Sequence, residues 1–178
     1  EQGKAVQALA TYVPVLIVLM IATLVLSFRS ALLASVIGIV AILSLGLGLF
    51  SLGQSGHALG FNPMLGSLGL IGVAINGAIV VLAAIRANPR AKDGDRAAIV
   101  DETVGATRHI VSTTLTTVGG FVPLLVSGGT FWPPLAVVIA GGVGLGIVLS
   151  LAFTPTAYAW LYRSRNARAA PAWALSAP

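Results

Sequence analysis

Asn76 stands near the middle of an apolar run of about 20 residues, where an amide side chain is rare and must find a hydrogen-bond partner. Thr113, Thr114, Thr116 and Thr117 cluster in another apolar run, one turn and more inside His109. Amides and hydroxyls both donate and accept hydrogen bonds, and polar side chains inside a membrane run are often functional. The same residues also have a structural use: each Thr can bond its own helix backbone, and Asn76 can bond a neighbouring helix. His57 lies in a polar loop and His109 at the edge of an apolar run, positions that suit solvated or interfacial residues. No Asp, Glu, Lys or Arg falls deep within an apolar run, so this stretch carries no carboxylate of its own for a proton or sodium ion. A GK[ST] phosphate loop, HExxH, GxSxG and cysteine are all missing, so there is no motif for phosphoryl transfer, hydrolysis or thiol chemistry, and no metal site or cofactor is expected.

The elements that must hold these residues are membrane-spanning helices. Of 178 residues, 57% are hydrophobic and 8% charged, against about 25% charged in soluble domains. A spanning helix needs roughly 20 apolar residues. Runs of that kind cover about 9–28, 31–52, 64–85, 109–126 and 135–162, predicting an all-α, five-helix transmembrane bundle over 9–165. Asp95 is a candidate N-cap for a short surface helix over about 95–108, with Ile99, Thr103, Ala106 and Ile110 at helical spacing. Residues 1–8 read as the end of an outer region, and the Ala/Pro-rich residues 166–178 as a disordered tail.

The net charge of +5 reflects topology here, not nucleic-acid binding. Five spans place Arg29, Arg86 through Arg108, and Arg163 through Arg168 on one side, nine of the ten Lys and Arg residues. The positive-inside rule makes that side cytoplasmic, with the N-terminus outside. An outside N-terminus with no signal peptide predicts earlier spans in a longer polypeptide.

Helices in lipid associate through close backbone packing. Small residues four apart, Ala34 and Gly38, Ser44 and Gly48, Gly142 and Gly146, and the Gly66, Gly69, Gly72 edge of the third run are the predicted packing positions. Glycine-lined contacts would also let helices slide or tilt.

The third run, Gly69-Leu70-Ile71-Gly72-Val73-Ala74-Ile75-Asn76-Gly77-Ala78-Ile79-Val80-Val81-Leu82, resembles the tenth transmembrane helix of resistance-nodulation-division (RND) efflux permeases of the multidrug type. Ser112-Thr113-Thr114-Leu115-Thr116-Thr117-Val118-Gly119-Gly120 with Val122-Pro123-Leu124 resembles the eleventh. Phe131-Trp132-Pro133-Pro134-Leu135-Ala136, Ile139-Ala140-Gly141-Gly142 and Thr154-Pro155-Thr156-Ala157-Tyr158 resemble the loop and twelfth helix. Ala5-Val6-Gln7-Ala8 and Leu26-Ser27-Phe28-Arg29-Ser30 fit the flanks of the eighth.

The resemblance implies the last five spans of a second six-helix repeat in a bacterial inner-membrane proton antiporter. The family works as homotrimers with a periplasmic adaptor and an outer-membrane channel, uses the proton-motive force without a cofactor, and exports drugs or other amphiphiles. Its proton-binding aspartates would lie upstream of this chain, and substrate selection would lie mainly in the porter region. Many drug pumps have Lys where Asn76 stands. The relay threonine of the eleventh helix aligns with Thr113, a relay arginine with Ala106, and a second basic position with Arg108. Ala83 or Ala84 occupies the place of a carboxylate near the end of the tenth helix. Asn76, Thr113 and Arg108 are therefore the proton-relay candidates. A protein-export or lipid exporter of the same superfamily, and a truncated membrane scaffold without transport, are the competing readings.

Overall fold

The computed structural model describes the backbone of residues 2–129 and 131–169, and the side chains of 7, 11–129 and 131–162. No strand occurs among the described residues. The helices are α1 (Gln2–Phe28), α2 (Ala31–Gln54), α3 (Phe61–Ala87), the single turn α4 (Pro89–Lys92), α5 (Arg96–Val126), α6 (Trp132–Val148) and α7 (Thr154–Ala169). A π-helical turn, Leu149–Phe153, joins α6 to α7, so the two form one long rod. Among the described residues, five helical rods are long and apolar enough to cross a bilayer.

The rods differ from the sequence expectation in three places. Residues 95–108 do not form a separate surface helix. Arg96–Val126 is a single helix of 31 residues. Polarity changes near Arg108, but no Pro or Gly interrupts Ala106–Val118, so nothing breaks the i→i−4 ladder there. The stripe Ala98, Ile99, Thr103, Ala106 and Ile110 is buried against the bundle along that stretch. At the N-terminus, α1 already runs from Gln2 instead of opening at Leu9. At the other end, α7 carries the helix to Ala169, so residues 166–169 of the expected tail are helical. Residues 170–178 lie outside the described ones.

The rod formed by α6 is the centre, packing on α2, α3 and α5. Toward the arginine-rich end the core holds Leu33, Ile37, Val40, Val81, Leu82, Ile85, Ile99 and Tyr158. Toward the opposite end it holds Leu52, Leu70, Ala74, Val138, Ile139 and Val143. By contrast α1 leaves Tyr12, Val15, Leu16, Val18 and Leu19 more than half exposed. A soluble protein rarely shows an apolar surface that large, whereas lipid solvates it without cost.

The connections explain how the rods are held in register. Only Arg29 and Ser30 separate α1 from α2, and Arg29 takes φ 45°, the left-handed conformation that ends a helix abruptly. The Arg86 guanidinium donates a hydrogen bond to the Phe28 carbonyl, placing a cation on the C-terminal end of α1. Asn88 caps α4 by accepting from the Arg90 N–H at 3.0 Å, and its amide donates to Glu102 Oε1 of α5 at 2.9 Å. Asp95 caps α5 by accepting from the Ala97 N–H at 3.0 Å and pairs with Arg90 at 2.6 Å. The hydrogen bond from Arg90 holds the Asp95 carboxyl below its ordinary pKa, helped by the backbone amides of Ala97 and Ala98. At the far end Gly128 and Gly129, both at positive φ, turn the chain from α5 toward α6. There the Asn62 amide donates to the Phe131 carbonyl at 2.9 Å.

Tyr158 is fully buried, stacks on Tyr162 with ring centroids 4.4 Å apart, and donates its hydroxyl proton to the Lys92 carbonyl at 3.1 Å. This bond ties the α4 loop to α7. Tyr158→Phe keeps the ring and removes the bond. It is expected to cost about 1 kcal/mol, lowering the melting temperature in detergent by about 2–4 °C. An unchanged melting temperature would show that the loop is held by other contacts.

Candidate functional site

Midway along the bundle, α3, α5 and the α6 rod meet around a small cavity. Its volume is about 40 Å³, large enough to hold water. Asn76, Thr113, Thr114, Thr117 and Ser150 supply its polar lining, and Val73, Ala74, Ile110, Val143 and Ile147 its apolar walls. Asn76 and Thr113, from helices far apart in sequence, therefore face one space.

Helical spacing sorts the threonines. Thr113, Thr114 and Thr117 line the cavity, while Thr116 is exposed and its hydroxyl bonds the Ser112 carbonyl at 2.8 Å. The Thr113 hydroxyl donates to the carbonyls of His109 and Ile110, both at 3.0 Å. Its proton is thus used within its own helix, and its lone pairs remain available as acceptors. Asn76 is exposed on the surface of this bundle, so its amide reaches both the cavity and the space outside. Arg108 is exposed and does not line the cavity; it lies five residues, about 7.5 Å of helix rise, toward the arginine-rich end from Thr113. His109 is exposed as well, and His57 Nδ1 is 2.9 Å from the Ser55 hydroxyl at the opposite end. Among the described residues, no three His, Cys, Asp or Glu side chains are grouped to hold a metal ion.

Sequence reading missed Ser150 and the π-helical turn that carries it. Ser150 is 3% exposed and sits against Gly77, the residue after Asn76. A Cβ added at Gly77 would lie 2.5 Å from the Ser150 hydroxyl oxygen, so the two backbones approach at the cavity itself. Pro155 offers the preceding turn no N–H, and its ring would crowd the Leu151 carbonyl; a widened turn relieves both. The Thr154 hydroxyl reaches back five residues to the Leu149 carbonyl at 3.3 Å. The Thr154-Pro155 pair was the available signal. π-turns inside α-helices recur at functional sites.

The glycines divide into those in tight contact and those in the open. A Cβ at Gly48 would meet Leu70 at 2.5 Å and the Val138 carbonyl oxygen at 2.8 Å. At Gly142 it would meet Leu70 at 2.3 Å, and at Gly146 the Ser44 hydroxyl at 3.1 Å. Gly69 has ordinary contact with Ile139 at 3.6 Å, while Gly38 and Gly72 meet nothing within 4 Å. Gly66 lies against Leu135, and Gly141, which carried no packing expectation, lies against Ser51.

Five apolar rods with a few uncharged polar groups gathered between them define a segment of a multi-pass membrane protein. A sequence profile described as the AcrB/AcrD/AcrF family matches residues 1–162, and the chain belongs to that family, the RND permeases. It is 31% identical over 168 residues to the nickel and cobalt resistance protein CnrA of Cupriavidus metallidurans, a match covering 92% of this chain and 15% of that protein. It is 30% identical over 167 residues to the nickel-cobalt-cadmium resistance protein NccA of Alcaligenes xylosoxydans xylosoxydans, covering 91% and 15%. The chain thus spans about 15% of the length of these relatives. No solved structure matches it.

Proposed function

We propose that this bundle is the C-terminal membrane part of a proton-driven RND efflux permease, in which Asn76 and Thr113 relay proton binding into helix movement. The observation that carries the reading is the meeting of Asn76, Thr113 and Ser150 on one mid-span cavity beside a π-turn. In this reading Asn76 presents its amide to proton-binding aspartates of the same permease outside this chain. Protonation of those groups changes which hydrogen bonds the amide makes, and the glycine-lined contacts on α6 let α3 and α5 tilt in response. Arg108 acts only at a distance, through the charge of the arginine-rich end. That end faces the cytoplasm of a bacterial inner membrane, and the N-terminus faces the periplasm. The permease works as a homotrimer with a periplasmic adaptor and an outer-membrane channel.

The relatives are named for resistance to nickel, cobalt and cadmium. Divalent transition-metal cations are therefore proposed as the substrates in preference to drugs. Substrate selection is assigned to the permease beyond this bundle. A strain deleted for the intact permease should become several-fold more sensitive to nickel, cobalt or cadmium and should keep its tolerance of dyes and detergents. Sensitivity to dyes and detergents alone would restore the drug-export reading. Unchanged tolerance of both would count against export.

A further inference from the structure

We infer that the mid-span cavity between α3, α5 and the α6 rod binds one structural water, held by Ser150 of the π-helical turn. The site stands whether or not protons drive the permease.

Ser150 is the residue that requires a partner. Its side chain is 3% exposed and lines the cavity, and among the described residues its hydroxyl makes no hydrogen bond. A helical Ser or Thr ordinarily bonds a carbonyl one turn back. Thr156 in the same rod bonds the Ala152 carbonyl at 2.6 Å, and Ser51 bonds the Leu47 carbonyl at 3.0 Å. The backbone of Ser150 is short of a donor too. The Thr154 N–H bonds the Leu149 carbonyl five residues back, and Pro155 has no N–H. Neither the residue four on nor the residue five on therefore donates to the Ser150 carbonyl. The widened turn leaves one buried residue with a hydroxyl and a carbonyl to satisfy, and buried polar groups are costly to leave unpaired.

The cavity meets the requirements of a bound water. It measures about 40 Å³, room for one molecule whose share of the liquid is about 30 Å³. Asn76, Thr114 and Thr117 also line it, and among the described residues their side chains make no hydrogen bond either. In a space of this size, groups on different walls lie within reach of one molecule. Gly77 leaves the room that the Ser150 hydroxyl needs beside α3, since a Cβ there would lie 2.5 Å from the hydroxyl oxygen. Thr113 spends its proton on the carbonyls of His109 and Ile110, so toward a water it acts as an acceptor. The water accepts the Ser150 proton and donates to the Thr113 oxygen and to the side-chain carbonyl of Asn76. That arrangement turns the Asn76 NH2 group toward the space outside this bundle and ties the π-turn to α3 and α5.

Ser44 provides a control. It also packs on a glycine of the α6 rod, Gly146, and its hydroxyl has no partner among the described residues. Unlike Ser150 it is fully buried and does not line the cavity, so water does not reach it.

The test is a cryo-electron microscopy map of the intact permease in lipid nanodiscs, at a resolution that shows ordered water, for the parent and for Ser150→Ala. The parent should show one water within hydrogen-bond distance of Ser150 Oγ and of the Asn76 side chain, and Ser150→Ala should lose it. Thermal unfolding of the intact permease gives a second reading. Ser150→Ala should lower the melting temperature, because a satisfied hydroxyl is lost, whereas Ser44→Ala should raise it or leave it unchanged, because an unpaired one is removed. A parent map without water at Ser150 would overturn the inference, as would a water that remains in place in Ser150→Ala. So would a Ser150→Ala protein as stable as its parent, the behaviour of a dry hydroxyl.

Discussion

Gly48→Val should destabilise the bundle by about 3 kcal/mol, the upper end for overpacking in a core. Leu70 of α3 is fully buried between Gly48 of α2 and Gly142 of α6. A branched side chain at Gly48 would collide with Leu70 and also with the Val138 carbonyl oxygen at 2.8 Å. The leucine can change rotamer, but the backbone oxygen cannot move without shifting α6. Gly142→Ala tests the softer side of the same contact, since the atoms it meets at 2.3–3.0 Å all belong to the Leu70 side chain. Leu70→Ala alone should cost about 2–5 kcal/mol by leaving a cavity. Combined with Gly142→Ala it should cost less than the sum of the two, because the added methyl occupies vacated space. Gly38→Val and Gly72→Val should change little within this bundle, since neither glycine has a neighbour within 4 Å. Unfolding in mixed micelles reads all of these. A Gly48→Val protein as stable as its parent would mean that α2, α3 and α6 do not pack through Leu70.

Asn76→Leu in the intact permease should lower proton-dependent export about tenfold to a hundredfold, the effect of losing one or two hydrogen bonds to charged partners. Leucine matches the amide in size, so the protein level should be preserved. Thr113→Ala removes a hydroxyl from the cavity that Asn76 also lines and should give a loss of the same kind, with Thr113→Ser restoring most of it. Arg108→Gln should have the smallest effect of the three, because Arg108 is exposed and does not reach the cavity. Export at the parental rate by both Asn76→Leu and Thr113→Ala would remove these residues from the relay.

Much of this structure is legible in the sequence because the bilayer imposes a single period and a fixed length. The runs ending at Phe28, Leu52, Ile85, Val126 and Tyr162 each appear as a rod of spanning length. The places where reading failed are those where hydropathy and backbone preference disagree. Residues 96–108 are polar enough to suggest a surface helix, yet they hold no Pro, Gly105 alone does not end the helix, and the buried stripe through Ile99, Thr103 and Ile110 holds them to the bundle. Asn76 and Thr113 stood out because each is polar within an apolar run. Ser150 did not, because serine is small and common in membrane helices, and its role depends on a register shift that hydropathy does not record. The glycines show a similar division. Spacing marked Gly38 and Gly72 as readily as Gly48 and Gly142, but only the tertiary arrangement decides which of them meets a neighbour.

The most direct test of proton-coupled export uses the intact permease in proteoliposomes with a pH-sensitive dye and a nickel or cobalt indicator in the lumen. Metal movement driven by an imposed pH gradient, with proton flow in the opposite direction, is the predicted result; both should collapse together when an ionophore removes the gradient and should be weakened together by Asn76→Leu. Metal movement that proceeds unchanged without a pH gradient, or proton flow that Asn76→Leu leaves intact, would contradict the role proposed for this bundle.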